Sequence, residues 1–356
     1  MKRLLLGVIA IALALALPTS AYAGGPGGGP GGGHAPHDLR ELAHKLRVYI
    51  GSTVDVTALA DEADYRKVLN REFSHVTAEN AMKWESVEPQ RGVYTWDGAD
   101  AVVKNAQRNG QNVRGHTLIW HNQLPVWLTE GVADGSIDAK ELRKILREHI
   151  MTEVGRYRGK VRAWDVVNEV VDDEGNMRQS IWMTNLGPGY IADAFRWAHQ
   201  ADPHAKLYIN DYNLEWNTAK INTTLGIVKD LQSKRVPIHG IGFQGHLGIQ
   251  YDYPGDFPNV MRQFTDRGLE AAITEADVRM VLPVTPEKLA TQAAYYQRML
   301  STCAANPRCA EFTVWGFTDR HSWVPGVFAG EGAACIMDEN LAHKPAYDAL
   351  LGVRRA

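Results

Sequence analysis

The chain has 356 residues, of which 45% are hydrophobic and 22% are charged, and its formal net charge at pH 7 is −3. This balance excludes the clustered basic surface of a nucleic-acid-binding protein and favours a neutral substrate.

The first 23 residues have the pattern of a signal peptide. Lys2 and Arg3 precede an apolar run at 4–18, and residues 21–23 have the small-x-small pattern that signal peptidase recognises. A membrane anchor is the alternative, but the run is shorter than the roughly 20 residues that a spanning helix needs. We therefore predict that residues 1–23 are removed, that the protein is secreted and extracellular, and that the mature form does not bind membranes.

Residues 24–33 are glycines interrupted by two prolines. Such a segment cannot bury a core, so we predict a flexible tether over 24–37. The remainder, 38–356, is too long for an ordinary sandwich and has the usual length of one (β/α)8 barrel, a TIM barrel of the α/β class.

Apolar segments alternate with longer amphipathic segments along this domain. The predicted strands are 47–51, 74–78, 112–118, 161–167, 206–210, 240–245, 271–274 and 311–316, and helical patterns between them include 99–108, 139–157, 190–200, 218–233 and 286–304. Asp138, Asn217 and Thr285 are suitable N-caps for three of these helices. Alternation of this kind favours a closed parallel barrel over an open sheet.

Polar and aromatic side chains follow seven of the eight predicted strands. In a parallel barrel the carboxyl ends of the strands meet at one mouth, where active sites lie. The residues are Glu79, Asn80 and Lys83 after the second strand; His116, Trp120, His121 and Gln123 after the third; Asn168 and Glu169 after the fourth; Asn210, Asp211, Tyr212 and Asn213 after the fifth; Gln244 and His246 after the sixth; Glu275 and Asp277 after the seventh; and Trp315 and Trp323 after the eighth. Hydrogen-bonding groups with indole rings suit a sugar. Each residue alone has an ordinary alternative as a salt-bridge partner, cap or core residue, so the prediction depends on their occurring together.

Glu169 and Glu275 are carboxylates at the ends of predicted buried strands, where burial without a partner is costly. Two strand-end glutamates facing one cleft are typical of glycoside hydrolysis. A metal site is disfavoured because clusters of imidazoles are absent and amides and indoles are poor metal ligands. We therefore expect neither a metal nor another cofactor.

The three cysteines are Cys303, Cys309 and Cys335. In an oxidising compartment Cys303 and Cys309 are the expected disulfide, since Asn306 and Pro307 turn the chain between them. Three buried thiols are the alternative, and a zinc site lacks the usual His-Cys spacing.

The ordered motifs resemble those of the family 10 glycoside hydrolases, which are endo-β-1,4-xylanases of (β/α)8 fold. They are TAENAMKW at 77–84, GHTLIWH at 115–121, WDVVNE at 164–169, YINDYN at 208–213, GIGFQGHL at 240–247, ITE at 273–275 and TVWG at 313–316. Together they span nearly all of the chain after the tether.

The resemblance implies roles for individual residues. Glu169 would be the general acid/base and Glu275 the nucleophile, which His246 and Asp277 would support. Sugar on the non-reducing side of the cleaved bond would be bound by Glu79, Asn80 and Lys83. The sugar at the bond would be surrounded by His116, Trp120, Gln123, Asn168, Gln244, Trp315 and Trp323, and Tyr212 would also bind substrate. Xylan or xylo-oligosaccharides would be the substrate of a monomeric enzyme.

The two glutamates would act in a double displacement that retains the anomeric configuration. Glu169 must begin protonated, whereas Glu275 must be ionised and needs hydrogen-bond donors. Two other interpretations remain: a barrel glycosidase that prefers a β-glucan or mixed glucan, and a secreted carbohydrate-binding protein without activity. The presence of both glutamates with their neighbours disfavours the last.

Overall fold

The computed structural model describes residues 36–355, which form a (β/α)8 barrel as predicted. The predicted signal peptide and most of the predicted tether lie outside these residues. Eight parallel strands close into a ring in the order β1-β2-β3-β4-β5-β6-β8-β9, and β9 pairs with β1. The strands are β1 (Tyr49–Val54), β2 (His75–Ala78), β3 (Asn112–Gly115), β4 (Ala163–Asn168), β5 (Lys206–Asp211), β6 (Gly240–Phe243), β8 (Glu270–Val281) and β9 (Cys309–Val314), with the short β7 (His246–Gly248) and β10 (Glu331–Gly332) added to β8.

Helices connect the strands, and most of them lie on the outside of the ring. They are α1 (Leu39–Leu46), α2 (Val56–Asp61), α3 (Ala63–Glu72), α4 (Trp84–Val87), α5 (Asp97–Arg108), α6 (Val126–Ala133), α7 (Ala139–Arg156), α8 (Ile181–Leu186), α9 (Gly189–Ala201), α10 (Thr218–Ser233), α11 (Phe257–Thr265), α12 (Pro286–Ala305), α13 (Val324–Val327) and α14 (Pro345–Leu351), with a 3-10 turn at Asp319–His321. No helix within residues 36–355 is long and apolar enough to cross a membrane.

The three predicted N-caps are confirmed. Asp138, Asn217 and Thr285 each accept hydrogen bonds from backbone amides in the first turn of α7, α10 and α12. Each cap satisfies amides that a helix start leaves unpaired, so these helices begin where the sequence predicted.

Several strand boundaries differ from the predicted ones, most of all in the first, third and seventh strands. The first strand begins at Tyr49 because Arg47 has left-handed backbone (φ 56°) and caps α1. The third ends at Gly115. The seventh continues to Val281 because two further strands pair with its extension: β7 with residues 277–279, and β10 with Met280 and Val281.

Both strands that lead to the glutamates have an irregular register. Along β4, Asp165 pairs with Tyr208 and Val167 with Ile209, so one extra residue lies between the pairs. Along β8, Ile273 pairs with Phe312 and Ala276 with Val314, leaving two residues opposite one. Such bulges turn side chains at barrel rims.

The Cys303–Cys309 disulfide is present, which confirms the predicted pairing, and Cys335 is a buried free thiol. The bond ties the last turn of α12 to the first residue of β9.

Candidate active site

A cavity of about 710 Å³ lies at the carboxyl end of the barrel and brings the predicted residues together. All of the predicted catalytic and substrate-binding side chains line it. Asp277 is not one of the lining residues, but it contacts the lining residue His246. The lining residues are Glu79, Asn80, Lys83, His116, Trp120, Asn122, Gln123, Asn168, Glu169, Tyr212, Asn213, Gln244, His246, Glu275, Arg279, Trp315, Trp323, Val327 and Phe328.

Glu275 is almost fully buried and surrounded by donors. Its Oε1 accepts a hydrogen bond from Asn210 Nδ2 at 2.7 Å and lies 3.9 Å from His116 Nδ1. Its Oε2 lies 3.1 Å from Nε2 of His246, whose Nδ1 lies 2.9 Å from Asp277 Oδ2. The carboxylate is therefore held at both oxygens.

The charges around Glu275 keep it ionised. Burial alone would raise the pKa of Glu275, but His116, His246 and Asn210 together lower it to about 2. Burial would likewise lower the pKa of His246, but Asp277 and Glu275 raise it to about 10. A negative Glu275 and a positive His246 thus face each other over the whole neutral range.

Glu169 has a different setting, because the donors within hydrogen-bonding distance of its carboxylate are neutral. Trp120 Nε1 donates to its Oε2 at 2.9 Å and Gln244 Nε2 to its Oε1 at 3.1 Å. Its backbone is left-handed (φ 56°), a costly conformation for a non-glycine residue. The Glu169 backbone N–H donates a hydrogen bond to Asn210 O, and the Arg178 guanidinium donates one to the Glu169 carbonyl. These two hydrogen bonds hold the conformation, in which the side chain turns into the cavity.

Asn168 stands between the two glutamates in a network of amides. Its Oδ1 accepts from Asn210 Nδ2 at 2.9 Å and from Gln244 Nε2 at 3.3 Å. With the oxygen occupied, the Asn168 amide nitrogen is the group left to donate to a ligand hydroxyl.

The side of the cavity next to β2 is formed by Glu79, Asn80, Lys83 and Gln123. Lys83 Nζ donates to Asn80 Oδ1 at 2.9 Å and to Gln123 Oε1 at 2.7 Å. Burial, aided by Asp55, raises the pKa of Glu79 to about 7, so this carboxyl can also donate a hydrogen bond near neutral pH. The group offers both donors and acceptors to sugar hydroxyls.

Two indoles form the wall next to β9. Trp315 is in edge contact with His116, with ring centroids 5.2 Å apart, and Trp323 lies 5.0 Å from the His246 ring. Trp323 Nε1 also donates to Asp277 Oδ2 at 2.7 Å. Trp323 therefore belongs both to the wall and to the chain of hydrogen bonds that ends at Glu275.

Tyr212 lines the cavity on the β5 side. Its hydroxyl accepts from Arg178 Nη2 at 2.9 Å, and its ring lies 3.4 Å from Lys220 Nζ. The ring is thereby fixed beside Glu169.

A larger cavity, of about 860 Å³, lies at the amino end of the barrel, away from the glutamates. Two of its arginines are used structurally: Arg40 donates to the Phe73 carbonyl and Arg308 to that of Gly268. Within residues 36–355, no group of three or more His, Cys, Asp or Glu side chains is arranged to hold a metal ion.

The sequence model of glycosyl hydrolase family 10 matches residues 38–353. The chain belongs to this family.

Several xylanases are similar to this chain over most of their length. An endo-1,4-beta-xylanase of Agaricus bisporus is 46% identical over 304 residues, which are 85% of this chain and 90% of the relative. Endo-1,4-beta-xylanase B of Thermotoga neapolitana is 43% identical and covers 88% of this chain and 90% of its own. The crystal structure of xylanase 10B from Thermotoga petrophila in complex with xylobiose has a TM-score of 0.85 and 42% identity, covering 90% of this chain and 98% of that one.

Three residues of this family 10 site were not assigned a role from the sequence. Asn210 was noted only as a strand-end residue, yet it bonds both Glu275 and Asn168. Arg178 lies in a loop with no recognisable motif and contacts Glu169 and Tyr212. Asp165 lies 3.0 Å from His116 Nδ1, and the signal that could have identified it is a carboxylate within a buried strand.

Proposed function

We propose that this protein is a secreted endo-1,4-β-xylanase that hydrolyses internal β-1,4-xylosidic bonds with retention of anomeric configuration. The observation that carries the proposal is the unequal setting of two carboxylates in one cavity. Glu275 faces the charged donor His246, which helps to keep it ionised, whereas Glu169 has two neutral donors. The xylanases among the relatives, one of them solved with xylobiose, support xylan as the substrate.

In the first step Glu275 attacks the anomeric carbon while Glu169 transfers its proton to the departing glycosidic oxygen. Asn168 is suited to bond the hydroxyl at C2, an interaction that strengthens in the oxocarbenium-like transition state. The product of this step is a covalent glycosyl-enzyme on Glu275.

In the second step the ester-linked Glu275 no longer carries a charge, and Glu169 is now ionised. Glu169 removes a proton from water, which attacks the same face from which the first leaving group departed. Two inversions give net retention.

Substitution of each glutamate distinguishes the two roles. Glu275→Ala should abolish activity on every substrate. Glu169→Ala should lose about 100- to 10,000-fold on xylan but keep the first step with aryl xylobiosides whose leaving group needs no proton. Azide should then accelerate the Glu169 variant and give a β-xylobiosyl azide.

The control is Glu130→Ala on the exposed surface of α6, which should behave as the unmodified enzyme. Proton NMR of the first product supplies the decisive reading. An α-configured product from the unmodified enzyme would refute the double displacement.

Secretion has its own test. Expression of the full chain with its leader should yield extracellular protein whose amino terminus is near Gly24. Retention of Met1 on the mature protein would contradict it.

A further inference from the structure

A further cavity of about 650 Å³ adjoins the candidate active site, and its size is within the usual range of ligand sites. It shares Asn213, His246 and Arg279 with the catalytic cavity. The remaining lining includes four aromatic side chains, namely Trp216, Tyr251, Tyr253 and Tyr295. Because they adjoin at these three residues, we interpret the two cavities as parts of one groove.

The direction of this groove follows from the strand order. Trp216 follows β5 and Tyr251 lies in the loop between β6 and β8, whereas Glu79 and Lys83 follow β2. In the closed ring β2 and β6 occupy opposite positions. The groove consequently runs across the barrel mouth, with Glu169 and Glu275 between its ends.

Trp216 and Tyr251 are exposed although they are large aromatic residues. Trp216 is 56% exposed and Tyr251 is 64% exposed. Trp216 lies on a fixed turn, since its own amide and that of Asn217 donate to Asn213 O and Asn217 also caps α10. The carbonyl of Tyr251 accepts from the Tyr295 hydroxyl at 2.7 Å, and its amide donates to Gly248 O. Both rings are presented to solvent from an ordered backbone.

The charge of Arg279 at the junction is balanced within the protein. Its Nε lies 2.8 Å from Glu331 Oε2, and its guanidinium lies 4.1 Å from the Phe328 ring centroid. The groove beyond the glutamates thus offers aromatic faces rather than an unpaired charge, which suits a neutral sugar chain.

We propose that Trp216 and Tyr251 form a platform for the part of the xylan chain that lies beyond the cleaved bond on the leaving-group side. This inference rests on the proposed function and on the expectation that Glu79, Asn80 and Lys83, on the β2 side, bind the non-reducing part. Stacking of pyranose rings on these two fixed aromatics places longer substrates across Glu169 and Glu275. They set the preference for chain length without contacting the reacting atoms.

The test compares two substrates on Trp216→Ala, Trp216→Phe and Tyr251→Ala. Xylohexaose can occupy the whole groove, whereas 4-nitrophenyl β-xylobioside places only its aryl group beyond the bond. We expect kcat/KM on xylohexaose to fall about tenfold in each alanine variant and to recover in Trp216→Phe. The value on the aryl xylobioside should stay within about twofold. In the alanine variants, xylohexaose labelled at its reducing end should be cut nearer to that end than in the unmodified enzyme, because fewer sugars are held on the leaving-group side.

Tyr49→Ala is the matched control, because Tyr49 is a partly exposed aromatic at the amino end of the barrel. Thermal unfolding shows whether each variant folds, and Tyr251→Ala tests the platform independently of Trp216→Ala. An equal loss on both substrates, or no loss on xylohexaose, would overturn the platform alone. Failure of the unmodified enzyme to cut xylohexaose would overturn the proposed function and the platform with it.

Discussion

Individual contacts separate the chemistry of the two glutamates. His246 brings a positive charge to 3.1 Å from Glu275, while Trp120 and Gln244 bring only neutral N–H groups to Glu169. A charged donor favours ionisation far more than a neutral one does, because it interacts with the whole charge of the carboxylate. In the proposed mechanism, the nucleophile and the proton donor are distinguished in this way although they are the same amino acid.

Replacement of His246 should therefore change the pH dependence of activity. Glu275 is ionised above about pH 2 and His246 stays charged up to about pH 10. His246→Asn removes the charge, so the pKa of Glu275 must rise and protonation must reach it at higher pH. The acid limb of the kcat/KM profile should move up by about one unit. His44→Asn on the surface is the control, and an unmoved acid limb in His246→Asn would contradict the assignment.

Trp323 should show two separable contributions. Trp323→Phe removes the hydrogen bond to Asp277 but keeps an aromatic wall, whereas Trp323→Ala removes both. Within the described residues Asp277 Oδ1 has no hydrogen-bond partner. Loss of the Trp323 hydrogen bond therefore leaves Asp277 less firmly positioned to orient His246. We expect kcat/KM on xylo-oligosaccharides to fall about tenfold in the phenylalanine variant, consistent with one buried hydrogen bond of about 1–3 kcal/mol.

The contribution of the aromatic wall to specificity is measured by comparing two series of substrates. Xylose and glucose differ by the hydroxymethyl group at C5, which a rigid ring excludes by filling its space. The ratio of kcat/KM on xylo- to cello-oligosaccharides should exceed about ten in the unmodified enzyme, persist in Trp323→Phe and narrow in Trp323→Ala. Equal rates of the unmodified enzyme on both series would favour the broad β-glycanase instead.

Among the strands next to the glutamates, a small residue on one strand makes room for a polar side chain on its neighbour. Asn210 on β5 holds Glu275 and Asn168, and it lies against Gly242 of β6. A Cβ on Gly242 would lie 2.2 Å from Asn210 Oδ1. The absence of a side chain on one strand makes room for the amide of its neighbour.

Gly242→Ala should consequently damage catalysis by displacing Asn210. We expect a loss of about 100-fold in kcat/KM, with about 1–3 kcal/mol of destabilisation from overpacking. Gly226→Ala is the matched change, because Gly226 lies within α10 and a Cβ there meets nothing within 4 Å. That variant should gain about 0.5–1 kcal/mol in the free energy of unfolding and keep full activity. Chemical denaturation and kinetics on both proteins decide the matter, and a fully active Gly242→Ala enzyme would refute the role of Asn210.

For the whole molecule, an ionic cluster inside the barrel joins strands that are far apart in sequence. Arg114 of β3 pairs with Asp165 of β4 and with Glu311 of β9, and His75 of β2 lies 3.3 Å from Glu311. All four side chains are buried. Asp165 also contacts His116, so the cluster supports the floor of the candidate active site.

Arg114→Met should destabilise the protein by about 3–5 kcal/mol at pH 7, because two buried carboxylates lose their cation. Burial alone would raise the pKa of Glu311, but His75 and Arg114 lower it well below its ordinary value. A lowered pKa contributes stability above about pH 4.5, and this contribution is lost as the pH falls below that value. In Arg114→Met this pH-dependent contribution is smaller, so less stability is lost as the pH falls. The difference in the free energy of unfolding between the variant and the unmodified protein, its deficit, should therefore shrink between pH 4.5 and pH 3.

Urea unfolding of both proteins at several pH values measures this deficit. Lys104→Met, which removes an exposed cation on α5, should cost at most about 1 kcal/mol and serves as the control. A deficit that stays constant with pH would show that Arg114 acts through packing rather than charge.

The sequence by itself determined the barrel and the residues at its mouth. Alternating apolar and amphipathic segments are local patterns, and polar residues directly after buried strands can be read without knowing how the strands close. Glu169, Glu275, Lys83 and Trp315 were therefore predictable, as were the caps of α7, α10 and α12.

Only the tertiary structure decided which groups meet. The donors on each glutamate come from strands separated by many residues, and the bulges in β4 and β8 depend on the register of neighbouring strands. Trp216 and Tyr251 lie in loops, where no periodicity marks a side chain as facing a groove. Closing the ring brings these loops beside the glutamates, because it places the carboxyl ends of all eight strands around one mouth.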